Sequence, residues 1–313
     1  MLNRRYLRIK VMQVLYSFFQ SSDKDMNKAE KELFRNIEKI YDLYLSILLL
    51  FTDIRHQAEL ILEEGKNKML PTQEELNPNR KFINNRVIRQ LSENQSLQKE
   101  INNRKISWQV EPELIKKLFT TIKGSEEYTA YIGSSEDSYQ TDKNFVIEIF
   151  KKYISEHEPL LYHFEEKSIY WVDDVWLVNS TIAKTLEFLS ESSTNLVMKL
   201  YKDEEDDKKF ITELFRKTIL MDSENEKLIS GKTKNWELER IAMMDTLLMK
   251  MAITEMLVFS NIPVKVTLNE YIEISKLYST PKSKMFINGI LDSLVVDFKD
   301  QQKLVKTGRG LME

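Results

Sequence analysis

From residue 207 to residue 298 the apolar side chains recur at helical spacing almost without interruption, and this pattern limits the possible folds more than any other feature of the chain. Phe210, Leu214, Phe215 and Ile219 fall on one helical face, and Leu238, Ile241, Ala242, Leu248, Ala252, Met256 and Phe259 trace a longer helix. A short apolar turn, Ile262-Pro263-Val264, separates that helix from the next. Start signals agree with the periodicity. Ser223 with Glu226 and Thr267 with Glu270 have capping-box spacing. Thr280 precedes Pro281, and proline is favoured at the first helical position. With only 7 glycines and 6 prolines among 313 residues, the chain lacks the turn residues an all-β fold needs. The fold class expected is therefore all-α.

The first helix is expected from about Arg4 to Phe19, with Leu7, Val11, Val14, Leu15 and Phe18 sharing one face. Arg5, Gln13 and Tyr16 lie opposite, with Arg4 and Arg8 near the border. Taken alone, that polar face reads as ordinary solvated surface. Residues 24–65 read as one long helix, residues 65–79 as a loop around Pro71 and Asn77-Pro78, and residues 80–104 as a basic, weakly amphipathic helix. The polar stretch 124–141, with Gly133-Ser134-Ser135, is the best linker candidate. The acidic run Asp203 to Asp207 reads as solvated linker charge, with loose divalent-cation binding the lesser alternative.

A shift of 65 residues aligns DKNFVIEIFKKYI (142–154) with DKKFITELFRKTI (207–219), with seven identities in thirteen positions, and places Trp171 on Trp236. Lysine-rich amphipathic helices resemble one another by composition, so duplication and coincidence both remain open at this stage.

Little in the chain suggests catalysis. There is no cysteine, which excludes disulfides, thiolate nucleophiles and Cys-ligated zinc, and is compatible with a reducing cytoplasm. His56, His157 and His163 are scattered and form no metal-binding pair. No glycine-rich phosphate loop occurs. No enzyme, metal or cofactor is expected. No secretory signal is visible, and the apolar run Leu43–Phe51 is too short to span a bilayer, so it reads as a buried helix segment. Net charge is only −3, but its distribution is uneven. Arg4, Arg5, Arg8 and Lys10 stand in an acid-free start, and residues 80–105 hold seven Lys or Arg against Glu93 and Glu100.

Two separated stretches carry a family resemblance: NRRYLRIKVMQVLYSFFQS at the start, and WELERIAMMDTLLMKMAITEMLVFSNIPVKVTLNEYIEISKLYSTPKSKMFINGIL from Trp236 to Leu291. In this order they resemble the transcription antitermination factor NusB family, over roughly residues 3–22 and 207–298. The resemblance implies an all-α, NusB-like helical bundle of two subdomains, enlarged by an additional helical insertion. Residues 1–23 would be its basic first helix, 24–206 the insertion, 207–298 the C-terminal core and 299–313 a basic flexible tail. It also implies an RNA-binding antitermination factor that acts with the ribosomal protein NusE on boxA-type RNA, in the transcription elongation complex, with a homodimer as a further option and no membrane partner. Arg4, Arg5 and Arg8 match the family's arginine-rich start, and Gln13 and Tyr16 its Gln and Tyr. Ser283, Phe286 and Asn288-Gly289 match positions near its final helix. Asp245, with Lys250 a little over one turn later, resembles the acidic contact to the ribosomal protein. Lys282 stands where the family often has an acid, and is expected to reinforce an anion site at the helix start. The alternative is a helical protein-interaction scaffold that keeps the fold without RNA binding.

Overall fold

The computed structural model describes residues 1–233 and 241–311. Its helices, in order, are α1 (Arg4–Gln20), α2 (Met26–Lys66), α3 (Gln73–Leu76), α4 (Arg86–Glu93), α5 (Gln95–Arg104), α6 (Pro112–Lys123), α7 (Glu126–Gly133), α8 (Tyr139–Ile149), α9 (Glu158–Lys167), α10 (Val175–Phe188), α11 (Glu204–Leu220), α12 (Asp222–Lys232), α13 (Met243–Val258), α14 (Val264–Tyr278) and α15 (Ser283–Asp300). A π-helical segment, Phe150–Ile154, continues α8, and a 3-10 turn, Ile169–Trp171, precedes α10. No strand occurs among the described residues, so the all-α expectation holds. No described helix is long and apolar enough to cross a membrane.

The chain divides into two compact units. One comprises Met1 with residues 37–200, the other residues 2–36 with 201–313. In the first unit, α2 supplies the centre. Ile40, Leu43, Tyr44, Leu45, Ile47, Leu48, Leu50 and Phe51 are all buried, because this stretch is apolar around its whole circumference. The surrounding elements tie their polar tips to α2. Trp108 Nε1 donates to the Ser46 carbonyl (2.9 Å) and Trp171 Nε1 to the Lys39 carbonyl (2.7 Å). The Tyr44 hydroxyl pairs with Thr185 Oγ1 (3.0 Å) and accepts from the Met198 amide (3.2 Å). These buried hydroxyls and indole N–H groups of Tyr44, Trp108 and Trp171 are thus satisfied.

In the second unit α13 is the core helix. Residues 247–256 are buried on every side, and α11, α12, α14, α15 and α1 all pack against it. Leu238 and Trp236, expected to lie on or beside this helix, fall outside the described residues. Ile241 and Ala242 precede the helix, with Ala242 at its N-cap position.

Several local expectations are corrected. The basic stretch 80–104 is two helices, because Asn94 ends α4 and its side chain caps α5 by accepting from the Leu97 amide (2.9 Å). The loop at 65–79 contains α3, opened by a complete capping box between Thr72 and Glu75. The linker candidate 124–141 contains α7, whose Tyr131 is buried and stacked on Phe145 at 4.0 Å. The acidic run is not a linker either. Asp203 caps α11, accepting from the Asp206 amide, and the other four acids fill the first turn, where the helix dipole favours them. The two capping boxes in the C-terminal half do not form. Helix α12 already starts at Asp222 and α14 at Val264, which puts Ser223 and Thr267 inside the helices and frees Glu226 and Glu270 for ion pairs. Thr280 opens a turn, not the helix, since α15 starts at Ser283 with Lys282 at the N-cap position.

The tail expected to be flexible is held. Thr307 N donates to the Ser260 carbonyl (2.9 Å), and Lys306 Nζ donates to the Phe259 carbonyl (2.9 Å) at the C-terminal end of α13, where a cation suits the dipole. Gly310 packs so closely that a Cβ would meet the Ser260 carbonyl oxygen at 1.9 Å. Burial lowers the pKa of Lys306 from the usual lysine value.

Candidate nucleic-acid interface

The expected arginine cluster lies at the N-terminus of α1. Asn3 caps this helix, its Oδ1 accepting from the Arg5 and Tyr6 amides (3.0 and 3.1 Å). No acid lies in the first turn of α1, so the three arginines find their partners on other helices. Arg4 pairs with Asp206 and with Asp207, the latter at 3.0 Å, and its guanidinium sits 4.2 Å from the Phe210 ring centroid. Arg5 donates from Nε and Nη2 to the two carboxylate oxygens of Glu270 (2.9 and 2.8 Å). That hydrogen bonding raises the Arg5 pKa above the usual arginine value.

Arg8 is the clearest correction. Its side chain is 2% exposed, and Nε and Nη2 each lie 2.7 Å from a carboxylate oxygen of Glu255, itself 0% exposed. Glu255 also accepts from Thr267 Oγ1 (2.8 Å) and the Tyr271 hydroxyl (3.2 Å). Burial alone would pull the Arg8 pKa down, but the attraction and hydrogen bonds of Glu255 more than offset it and hold the guanidinium charged. Burial first, and then the Glu255 charge, push Tyr271 well above its usual value. Arg8 therefore does not face a phosphate. It neutralises a buried carboxylate that ties α1 to α13 and α14.

The rest of the polar face of α1 is more open. Tyr16 is 37% exposed, and Gln13 is half-buried, its Oε1 accepting from Lys10 Nζ (3.0 Å). At the start of α15, Lys282 is exposed and Phe286 half-buried. Ser283 is buried, its hydroxyl engaged with Ser279 (2.9 Å) and Thr280 (2.8 Å), which corrects the expectation that it faces RNA. Lys284 and Met285 are exposed on the same turn and were not singled out from the sequence. Their position beside Lys282 was the available signal.

The two residues expected at a protein partner are also turned inward. Asp245 is 5% exposed and accepts from the Ser279 hydroxyl. Lys250 is 9% exposed and reaches Asp222 (2.6 Å) and Glu226 (3.3 Å) on α12. Both are structural here because α13 is enclosed by its neighbours. Glu255 and Glu270 were missed by the sequence reading, although an acid inside the apolar run MAITEML was the visible clue.

Comparison with known proteins gives the relationship. The NusB family model matches residues 174–295, which spans α10 to most of α15 and leaves α1 outside. Its start at residue 174 also lies upstream of the boundary expected at 207. Proteins described as transcription antitermination protein NusB are similar over a quarter to a third of the chain. The one from Salinibacter ruber is 47% identical over 103 residues, covering 33% of this chain and 64% of the relative. Those from Chloroherpeton thalassium and Dictyoglomus turgidum are 43% identical over 106 residues and 44% identical over 79. They cover 34% and 25% of this chain, and 50% and 55% of those relatives. The chain thus spans between half and two thirds of the length of the relatives it matches. No solved structure matches it significantly. Residues 174–295 of this chain, which include α11 to α14 and most of α15, thus match the NusB family.

Proposed function

We propose that this chain is an RNA-binding transcription antitermination factor that acts with the ribosomal protein NusE on boxA-type RNA. The observation that carries the reading is the 47% identity, over 103 residues, to a protein described as transcription antitermination protein NusB. The surface contributes Tyr16, Gln13, Lys282 and Phe286 as contacts. Arg4 and Arg5 remain partly exposed, at 32% and 39%, so a phosphate can displace a carboxylate from either. Aromatic faces stack on unpaired bases, and cations neutralise the backbone.

The test is binding of a boxA-like RNA by the full chain, with and without NusE. Arg4→Ala/Arg5→Ala is expected to weaken binding and to reduce the salt slope by roughly 0.7 per lost contact. Binding no tighter than to a scrambled RNA would reject the reading. One observation favours the scaffold alternative: all three N-terminal arginines already have carboxylate partners within the chain. NusE binding by the wild-type chain with no RNA binding would select that alternative.

A further inference from the structure

Helix α10 is continued backwards by the 3-10 turn before it. Trp171 N donates to the Ser168 carbonyl (3.0 Å), Asp174 N to the Trp171 carbonyl (3.0 Å) and Val178 N to the Asp174 carbonyl (2.9 Å), so residues 168–188 wind as one screw. One side of it is core: Trp171, Leu177, Val178, Thr181, Ile182 and Leu186 are buried. The opposite side begins apolar as well. Ile169, Val172 and Trp176 follow i, i+3 and i+7 and are 81%, 50% and 70% exposed. On the ideal wheel Trp176 stands at the pole opposite the core, and the next residues along its line are the small, half-buried Ser180 and Ala183. Single exposed apolar residues are ordinary, but a row of three that ends on an indole, with small residues beyond it, marks an interaction surface.

The charge around the row says what covers it. Glu165 and Glu166 stand about one turn before Ile169, near the end of α9, which packs on the 3-10 turn. Asp173 flanks the row between Val172 and Trp176. All three acids are exposed, and the exposed base among residues 165–176 is Lys167. Lys39, whose carbonyl accepts from Trp171 Nε1, already pairs with Asp42 (2.7 Å). Lys184 lies two turns beyond Trp176, away from this end. An apolar row with an acidic rim repels phosphates, which excludes RNA as its occupant. A helix with apolar anchors at i, i+3, i+4 and i+7 and cations on its flanks complements both the row and the rim.

We propose that the row Ile169, Val172 and Trp176 is a docking surface for an amphipathic helix of a partner protein whose apolar face is flanked by Lys or Arg, with Trp176 as the anchor. None of the residues assigned to RNA above lies on it, so the surface does not depend on the RNA reading. The test uses the full chain and two dye-labelled synthetic helical peptides of about five turns, with leucines at i, i+3, i+4 and i+7 and either lysines or glutamates on the flanks. Affinity is read by anisotropy at about 0.05 M salt, where the rim charges are weakly screened. The lysine peptide is expected to bind roughly tenfold more tightly than the glutamate peptide, and to shift tryptophan emission to the blue as Trp176 loses water. Ile169→Ser/Trp176→Ser is expected to weaken that binding by roughly tenfold. Glu165→Lys/Glu166→Lys is expected to invert the preference between the peptides. All four side chains are exposed, so the helical circular dichroism of both variants should match the wild type. The control Met69→Ser/Leu70→Ser, which removes exposed apolar residues from a loop, should leave the affinity unchanged. No binding of the lysine peptide, equal binding of the two peptides, or an equal loss in the loop control overturns the surface. Self-association of the wild type that Trp176→Ser abolishes in sedimentation also overturns it, because the row is then covered by a second copy of this chain.

Discussion

Arg8 and Glu255 are the residues on which the second unit depends most. Two opposite charges that are almost completely buried hold each other through two 2.7 Å hydrogen bonds, with Thr267 and Tyr271 filling the remaining acceptor positions of the carboxylate. Removing one partner leaves the other charge buried and uncompensated, which costs about 3–5 kcal/mol. Arg8→Met is therefore expected to lower unfolding free energy by about that amount in urea titrations. Arg8→Met/Glu255→Leu should recover part of the loss, since no buried charge then remains. A single-variant loss below about 1 kcal/mol would contradict the buried-pair account. Arg4 and Arg5, which keep solvent contact, should each matter far less to stability when changed to Ala.

At the scale of the element, α2 carries buried polar atoms without a hydrogen-bond partner, at Asn36, Thr52 and Asp53 among them. Asp53 Oδ2 is buried without a hydrogen-bond partner, and burial pushes the carboxyl up to about 6, with His56 one turn away opposing the shift. The folded pKa lies above the unfolded one, so the folded state binds this proton more tightly. The contribution is present below the ordinary carboxylate pKa and is lost as pH rises through about 6. Asp53→Asn is expected to leave the melting temperature nearly unchanged at pH 4 and to raise it at pH 7.5. A melting-temperature difference between variant and wild type that does not change with pH would show that the carboxyl titrates normally. The helix itself was readable from its periodicity. Its isolated carboxyl was not, because sequence spacing does not reveal what lies opposite a side chain.

At the scale of the whole molecule, the two units have separate cores and different electrostatic content. Trp108, Trp171 and Trp176 lie in the unit of residues 37–200, and the first two are buried. The Arg8–Glu255 pair lies in the other unit. In Arg8→Met the second unit is thus expected to unfold at lower denaturant than the first. Circular dichroism should then begin to change before the blue-shifted emission of the buried tryptophans is lost. Coincident transitions by the two probes would mean that the units unfold as one cooperative body.

The sequence by itself determined the fold class, most helix positions and the family resemblance of the C-terminal part. Those follow from local periodicity, scarce glycine and proline, and residue identity along a contiguous stretch. It also exposed the similarity of 142–154 to 207–219, without deciding between duplication and composition. Tertiary structure decided what the charged residues do. Arg4, Arg5 and Arg8 look alike in the sequence, yet one is locked in the core and two remain at the edge, because their partners Asp207, Glu270 and Glu255 arrive from helices more than 200 residues away. Ser223, Thr267 and Thr280 met a local capping pattern, but neighbouring helices set the starts of α12, α14 and α15. The Arg4–Asp207 and Arg86–Asp142 pairs became visible for the same reason: they are contacts between helices, and a contact between helices exists only once the chain has folded.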